Sequence, residues 1–318
     1  MTHENVHGYK GFASNMTCQG FQYEVGQTYE HDGNIGLCEA GFHFCRKMAD
    51  VLNYYNRHDC RYAVVEALGK VIDGDDKSVT DRIYIVRELT REEVFKEIAA
   101  GAGISHEYSP FPAAEVIKAR GNGTLDKLLP SGTEFPVCFS NGEWNVLVVC
   151  RDRDHTYLVT KYLMAELFAM NGDVTSEGGW PACGMREHVH EIYNMLPEEF
   201  QRTIIPMHIR QLIRCGEIVE CDDKAFLLSA VNVFGENAWY SKGDCDDSQI
   251  DIFQEFASRV KGRLGASSTS WWWLRSTYDG NSFCYVFSVY NNFINYNYAF
   301  TDGGVVVSFC IEDRKSRN

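Results

Sequence analysis

Residues 271–311 read WWWLRSTYDGNSFCYVFSVYNNFINYNYAFTDGGVVVSFCI. Two ordinary blocks, Trp271–Ser276 and Gly303–Ile311, bracket an odd middle. From Tyr278 to Phe300 stand nine Tyr or Phe residues and five Asn residues, with Asp279 the one charge. Asn disfavours strands while aromatic residues favour them, so this is an unusual core strand. Loops, in turn, rarely carry so many rings. Tyr mixed with Ser, Gly and Asn is the composition of binding loops, where rigid rings supply area and small polar groups supply adaptable hydrogen bonds. The stretch is therefore expected to form a binding face that the rest of the chain holds up.

Periodicity divides it. In FCYVFSVY, residues 283–290, Tyr285, Phe287 and Val289 share one strand face and Val286 and Ser288 the other. The first set is assigned to the exposed, ligand-facing side. Tyr278, Asp279, Asn281 and Ser282 join it before the strand. Tyr290, Asn292, Phe293, Asn295, Tyr296, Asn297, Tyr298, Phe300 and Thr301 join it after. Burying five Asn amides without partners would cost about 1–3 kcal/mol each, so exposure is the cheaper arrangement. Val286, Ser288 and Ala299 are assigned inward. Trp272, Trp273 and Arg275 are read as scaffold: tryptophans packed beneath the face, and a guanidinium tied to backbone carbonyls or a carboxylate. A cation–π ligand role for the tryptophan triplet is the alternative.

The chain has 318 residues, a length that accommodates about two domains. Its 45% hydrophobic and 23% charged residues are ordinary for a globular protein. A formal net charge of −14 argues against nucleic acid or an anionic membrane as partner. No apolar run approaches the ~20 residues that span a bilayer. The start, MTHENVHGYKG, lacks the features of a secretion signal, so the protein is expected to be made in the cytoplasm. Its 12 scattered cysteines are then expected to be mostly free thiols.

Residues 1–100 read as a first, small α+β domain. Strands are expected at Phe21–Val25, Arg61–Leu68 and Arg82–Val86, with turns at Asp32-Gly33 and Asp73–Lys77. Met48–Tyr55 has helical spacing, and Thr90–Ala100 is a helix whose Thr90 and Glu93 fit a capping box. Cys38, His43, Cys45 and Cys60 are weak candidates for a metal site, since C-x₄-H-x-C-x₁₄-C lacks the C-x₂₋₄-C knuckle of structural zinc. The reading is no metal and no cofactor. Residues 101–132 read as a connector holding one short helix at Pro112–Arg120.

From residue 133 the pattern changes. Phe135–Phe139, Val146–Cys150 and Thr156–Thr160 are expected strands, the first two joined by a turn at Asn141-Gly142. Met185–Met195 and Pro197–Ile204 are expected helices. Ala225–Phe234 reads as a buried strand and Gln249–Val260 as an amphipathic segment. His188 and His190 lie two apart and cannot chelate together on a helix. Asp244, Asp246 and Asp247 read as a solvated acidic loop, and Glu187, Glu191, Glu198 and Glu199 as solvated helix faces.

Two resemblances add to this. The words CQGFQYEVGQTYEHDG, LCEAGFHFC, YAVVEALG and DKSVT resemble an N-terminal module of phage-encoded proteins that has no assigned activity. From about residue 133 the chain carries VLVV, Gly-Trp before MREHV, PEEFQ, FLLSAVNVFG, WWLRS and a closing GVVVSFCI. This order resembles a bacterial and phage domain family with a C-type-lectin-like fold, above all the variable proteins of diversity-generating retroelements. Val306-Val307-Ser308 departs from the R-P-A that many relatives carry there. The resemblance implies an α+β chain whose residues 133–318 form a C-type-lectin-like domain of the formylglycine-generating-enzyme-like branch. Those enzymes use a dedicated cysteine pair. Cys284 and Cys310 are the two candidates here, and nothing in the sequence pairs them.

The resemblance further implies a variable region at about residues 277–307, rewritten at template adenines. Asn codons changed in this way never yield Lys, Glu, Gln, Met or Trp. Those five types total 57 residues of the chain, and none falls from Arg275 to Ile311. The leading expectation is a non-catalytic, hypervariable ligand- or receptor-binding protein, phage or prophage encoded. Its partner would be a protein or a cell-surface molecule, and its N-terminal module would attach it to a virion or another assembly. Two alternatives stay open. One is an enzyme using His43 with Cys45 or Cys38 as base and nucleophile. The other is a structural virion subunit.

Overall fold

The computed structural model describes residues 6–57, 59–104, 111–213, 216–235, 244–245, 247–287 and 293–314. They form a two-domain α+β protein with many small antiparallel sheets. One unit takes residues 1–106 together with Gly262–Ser268, and the other takes residues 107–261 and 269–318. Among the described residues no helix is long and apolar enough to cross a membrane.

The first unit is built on a four-stranded antiparallel sheet in the order Val6–Phe12, Arg61–Ala67, Arg82–Leu89, Thr28–Glu30. Alternation explains it: Ala63, Val65 and Ala67 point inward from the second strand and meet Phe12, Ile83 and Ile85. A smaller sheet orders Phe42–Phe44, Ser78–Thr80 and Val71–Asp73. The helix Arg91–Gly101 starts with the expected capping box. The Thr90 hydroxyl accepts from Glu93 N, and the Glu93 carboxylate accepts from Thr90 N. Val94, Phe95, Ile98 and Ala99 form its buried stripe.

Gly262–Ser268 joins this unit through a buried carboxylate. Asp50 accepts from the Ser267 backbone N–H at 2.6 Å and from its hydroxyl at 3.0 Å, and Arg263 donates to Asn53 Oδ1 at 3.1 Å. The sequence carries no composition shift there, so this excursion was not expected.

The second unit opens with a four-stranded antiparallel sheet: Glu134–Cys138, Trp144–Arg151, His155–Thr160, then Ser308–Asp313 from the far end of the chain. Gly142 takes a φ of +88° in the tight turn between the first two strands, where a side chain would be strained. The hairpin Met207–Leu212 with Ile218–Asp223 was not anticipated, although both strands alternate. A third sheet orders Trp272–Asp279, Ser282–Phe287 and Phe293–Tyr298, and is called here the aromatic sheet.

Three expectations are corrected. The stretch from 111 to 132 is not a connector: Phe111, Val116, Ala119, Leu125 and Leu129 are buried in the core of the second unit. It carries the expected helix, Ala113–Gly121, and a second one, Leu125–Leu128. Ala225–Phe234 is buried but is not a strand. Ala230–Phe234 is a helix, capped by a Ser229–Asn232 box. A short apolar run cannot be told from a buried helix by periodicity, and here the cap decides. Gln249–Val260 breaks at Glu255 into a 3₁₀ turn, Asp251–Gln254, and a helical turn, Phe256–Arg259.

Candidate functional site

The aromatic sheet stands on a buried frame. Trp272 and Trp273 are fully buried, and Trp271 is half-buried. Each buried indole has a partner for its N–H: Trp272 Nε1 donates to Arg259 O and Trp273 Nε1 to Phe168 O, both at 3.0 Å. Gly303 lies against these rings, where a Cβ would fall 2.4 Å from the Trp271 ring and 2.5 Å from Trp273 Nε1. Glycine at this place is thus a packing requirement.

Arg275 lies inside the unit. Its Nη1 donates to Leu227 O at 3.0 Å and Asn232 Oδ1 at 3.1 Å, and its Nη2 to the Asp247 carboxylate. Both members of that ion pair are buried, Asp247 at 4% side-chain exposure. Asp247 therefore does not belong to a solvated loop, as the run of acids suggested. It is the counter-charge that a buried guanidinium needs. For Asp244 only the backbone is described, in the short strand Asp244–Cys245, and Asp246 lies outside the described residues.

Above the frame the rings turn outward. Tyr278, Phe293, Tyr296, Tyr298 and Phe300 are 38–54% exposed. Tyr278 stacks on Tyr296 with centroids 3.8 Å apart, and Tyr298 lies parallel to Phe300 at 5.9 Å. The hairpin that bears them is held from the side. Ser176 donates through its hydroxyl to Asp279 O and through its N–H to Gly280 O, and Asn171 N donates to Ala299 O.

Two of the asparagines are paired. Asn295 Oδ1 accepts from Tyr296 N and Asn297 Oδ1 from Tyr298 N, both at 2.9 Å. Both residues are half-buried, and Asn281 is exposed. Asp279 is half-exposed and accepts from Asn281 N. Thr301 is half-buried beside Asn297.

The sequence-assigned face needs two corrections. Ser282, paired with Tyr298, is 1% exposed and so is covered rather than on the surface. Tyr285 is half-buried, its ring 4.7 Å from Trp271 and 6.2 Å from Trp273, and burial raises its phenol pKa. Phe283 and Cys284, on opposite faces of the middle strand, are both fully buried, so alternation does not separate inside from outside at these positions. Val286 and Phe287 pair through their backbones with Ile294 and Phe293. Val289, Tyr290, Asn292 and Ser288 lie outside the described residues. Ala299 is fully buried.

The N-terminal candidates do not gather. Among the described residues no three His, Cys, Asp or Glu side chains stand close enough to hold a metal ion. His43 Nε2 accepts from the backbone N–H of Cys38 at 3.0 Å, which leaves that nitrogen unable to take a proton from a thiol. Cys45 is buried, and its pKa is pushed up to about 12 by desolvation. The geometry therefore provides no activated thiolate at Cys45. Cys60 is half-buried, with its thiol also pushed up by burial. The ten cysteines with described side chains, Cys284 and Cys310 among them, form no disulfide with one another.

A polar network escaped the sequence reading. Asp223, buried at the end of its strand, accepts from Trp180 Nε1 at 2.7 Å and from Arg186 Nη2 at 2.7 Å, with His190 Nε2 at 3.0 Å. Alternation along Ile218–Asp223 puts Asp223 on one strand face with Val219 and Cys221, a signal that could have found it. His188 takes the other side of its helix and stacks on Phe168. Burial alone would raise the Asp223 pKa, but hydrogen bonds from Arg186, Trp180 and Cys221 together hold it below the usual carboxylate range. A carboxylate depressed by folding stabilises above its unfolded pKa, about 3.9, and that contribution is lost as pH falls further. Melting temperature should therefore drop as pH falls below about 4. Asp223→Asn should flatten that part of the profile in a thermal scan from pH 6 to 3.

Fold and site thus define a two-domain α+β protein whose second unit raises a patch of exposed rings on a buried tryptophan–arginine frame. Residues 6–97 match a family described as a domain of unknown function, DUF7666. Residues 154–313, half of the chain, match another domain of unknown function, DUF6273, and the chain belongs to that family. Comparisons with curated proteins and with solved structures return no match.

Proposed function

We propose that the protein is a non-catalytic ligand- or receptor-binding protein. Its second unit would be a C-type-lectin-like scaffold whose aromatic sheet carries a surface diversified by a retroelement. The observation that carries this reading is the exposure of Tyr278, Phe293, Tyr296, Tyr298 and Phe300 on and beside a sheet whose Trp272, Trp273 and Arg275 are buried. Tyr278 stacks on Tyr296 and Tyr298 on Phe300, and soluble proteins seldom leave clustered exposed rings without a partner. Tyrosines that are amphipathic and stiff make effective anchors at an interface. The same window lacks Lys, Glu, Gln, Met and Trp, the types that adenine-directed rewriting of Asn codons does not produce. The unpaired imidazole–thiol geometry at His43 favours this reading over catalysis in the first unit. The partner would be a protein or a cell-surface molecule, with the first unit as the attachment module to a virion or another assembly.

The surface assignment is tested by replacing Tyr278, Tyr296, Tyr298 and Phe300 together with serine. Each exposed position should change stability by no more than about 0.5 kcal/mol, so the fourfold variant should melt within a few degrees of the parent. A collapse in melting temperature would mean that these rings are core and that the proposed face does not exist.

A further inference from the structure

The first unit contains a cleft of about 850 Å³, lined by Lys10, Phe21, Tyr23, Phe42, Tyr54 and Tyr55 among others. Its volume and aromatic walls are those of a small-molecule site, which typically spans ~300–1,000 Å³ with a few placed polar groups. The polar group in its wall is unusual. Lys10 lies on the strand Val6–Phe12 at an inward position, two residues before Phe12, and is 4% exposed. Its ammonium donates to His43 O at 2.6 Å and lies 5.1 Å from the Tyr23 ring centroid and 5.9 Å from that of Phe12. No ion pair to a carboxylate is present among the described residues. Burying an ammonium without a carboxylate counter-ion is costly, and two ring faces, one carbonyl and the Cys18 thiol offset only part of that cost. Desolvation accordingly lowers the Lys10 pKa.

The rest of the cleft says what would complete it. Phe21, Tyr23, Tyr29 and Phe42 form an edge-to-face cluster with centroids 4.9–6.4 Å apart. Phe21 and Tyr54 leave 45% of their surface open. The acids that line the cleft, Glu30 and Glu39, are exposed, so they stand toward solvent while the ammonium stands deep. A ligand with one negative charge could place it on Lys10; the other lysine of the lining, Lys77, lies over the Tyr54 ring.

We propose that this cleft binds a small molecule made of a planar ring system and a single anionic group, the rings held between the aromatic side chains and the anion received by Lys10. The site is distinct from the aromatic sheet of the second unit and stands independently of its reading.

Two fluorescent probes of nearly equal shape test it: 8-anilinonaphthalene-1-sulfonate, which is anionic, and N-phenyl-1-naphthylamine, which has the same rings without the charge. The full chain at pH 7 should bind the sulfonate at one saturable site, at least tenfold more tightly than the neutral probe. 2-Naphthoate should displace it. Lys10→Met should abolish the preference between the probes. Phe21→Ser, at the open edge, should weaken both together, and it serves where Lys10→Met fails to fold by circular dichroism. Equal affinity for the two probes in the parent protein would overturn the proposal. So would sulfonate binding that survives Lys10→Met or Phe21→Ser and is lost when Tyr278, Tyr296 and Tyr298 are changed to serine.

Discussion

Arg275→Met is expected to lower the stability of the second unit by about 3–5 kcal/mol, because it strands Asp247 as a buried charge without a partner. The guanidinium also satisfies Leu227 O and Asn232 Oδ1, and Asn232 belongs to the Ser229 cap of the helix Ala230–Phe234. Its loss should therefore loosen a helix start as well as an ion pair. The double variant Arg275→Met with Asp247→Leu should recover most of the loss, since removing both charges together leaves neither desolvated alone. All six tryptophans fall between residues 144 and 273, so tryptophan fluorescence during urea unfolding reports the second unit selectively. A loss below about 1 kcal/mol would place Arg275 in solvent and remove the frame from this account.

Trp273→Ala should have an effect of the same size, about 3–5 kcal/mol, for a different reason. The ring is fully buried, perpendicular to Trp271 at 4.9 Å, and its N–H is satisfied by Phe168 O. Truncation leaves a cavity and removes one of the two donors to Phe168 O, the other being Gly303 N. The informative comparison is Tyr298→Ala, 25 positions on, at a ring that is 54% exposed. That change should cost within about 0.5 kcal/mol. Two aromatic residues of one sheet, one costly to remove and one nearly free, would define where the frame ends and the surface begins. Similar costs at both sites would contradict that boundary.

How much of this could be read from the sequence depends on the range of the interaction that decides each element. The Thr90–Glu93 cap and the Asn141-Gly142 turn are local, and the chain alone specifies them. The WWLRS block was legible as scaffold because a Trp run followed by Arg has few cheap exposed arrangements. Long-range pairings were not legible. Gly262–Ser268 joins the first unit through Asp50, more than 200 residues earlier, and no local property marks it. Asp247 looked like one of a run of surface acids until its distance to Arg275 was known. Ser282 shares the strand face of Val286, which alternation assigns inward, so its placement on the surface departed from that rule; Tyr285 was misassigned because alternation assumes one open face, and Phe283 and Cys284, on opposite faces of the same strand, are both fully buried. In the edge strand Phe293–Tyr298, assigned outward almost throughout, Tyr296 and Tyr298 are exposed while Asn295 and Asn297 between them are half-buried, an alternation that the sequence reading did not apply there.

The central claim is that the aromatic surface is written by a diversifying element upon a fixed frame. It is tested most directly by sequencing the DNA that flanks the gene. The account predicts a near-copy of the segment encoding Trp271–Ile311 beside a reverse-transcriptase gene. Mismatches between copy and gene should be confined to template adenines and should fall at codons for exposed positions such as Tyr278, Tyr296, Tyr298 and Phe300. The absence of any such copy, or mismatches spread over all four bases and into the codons of Trp272, Trp273 and Arg275, would contradict it.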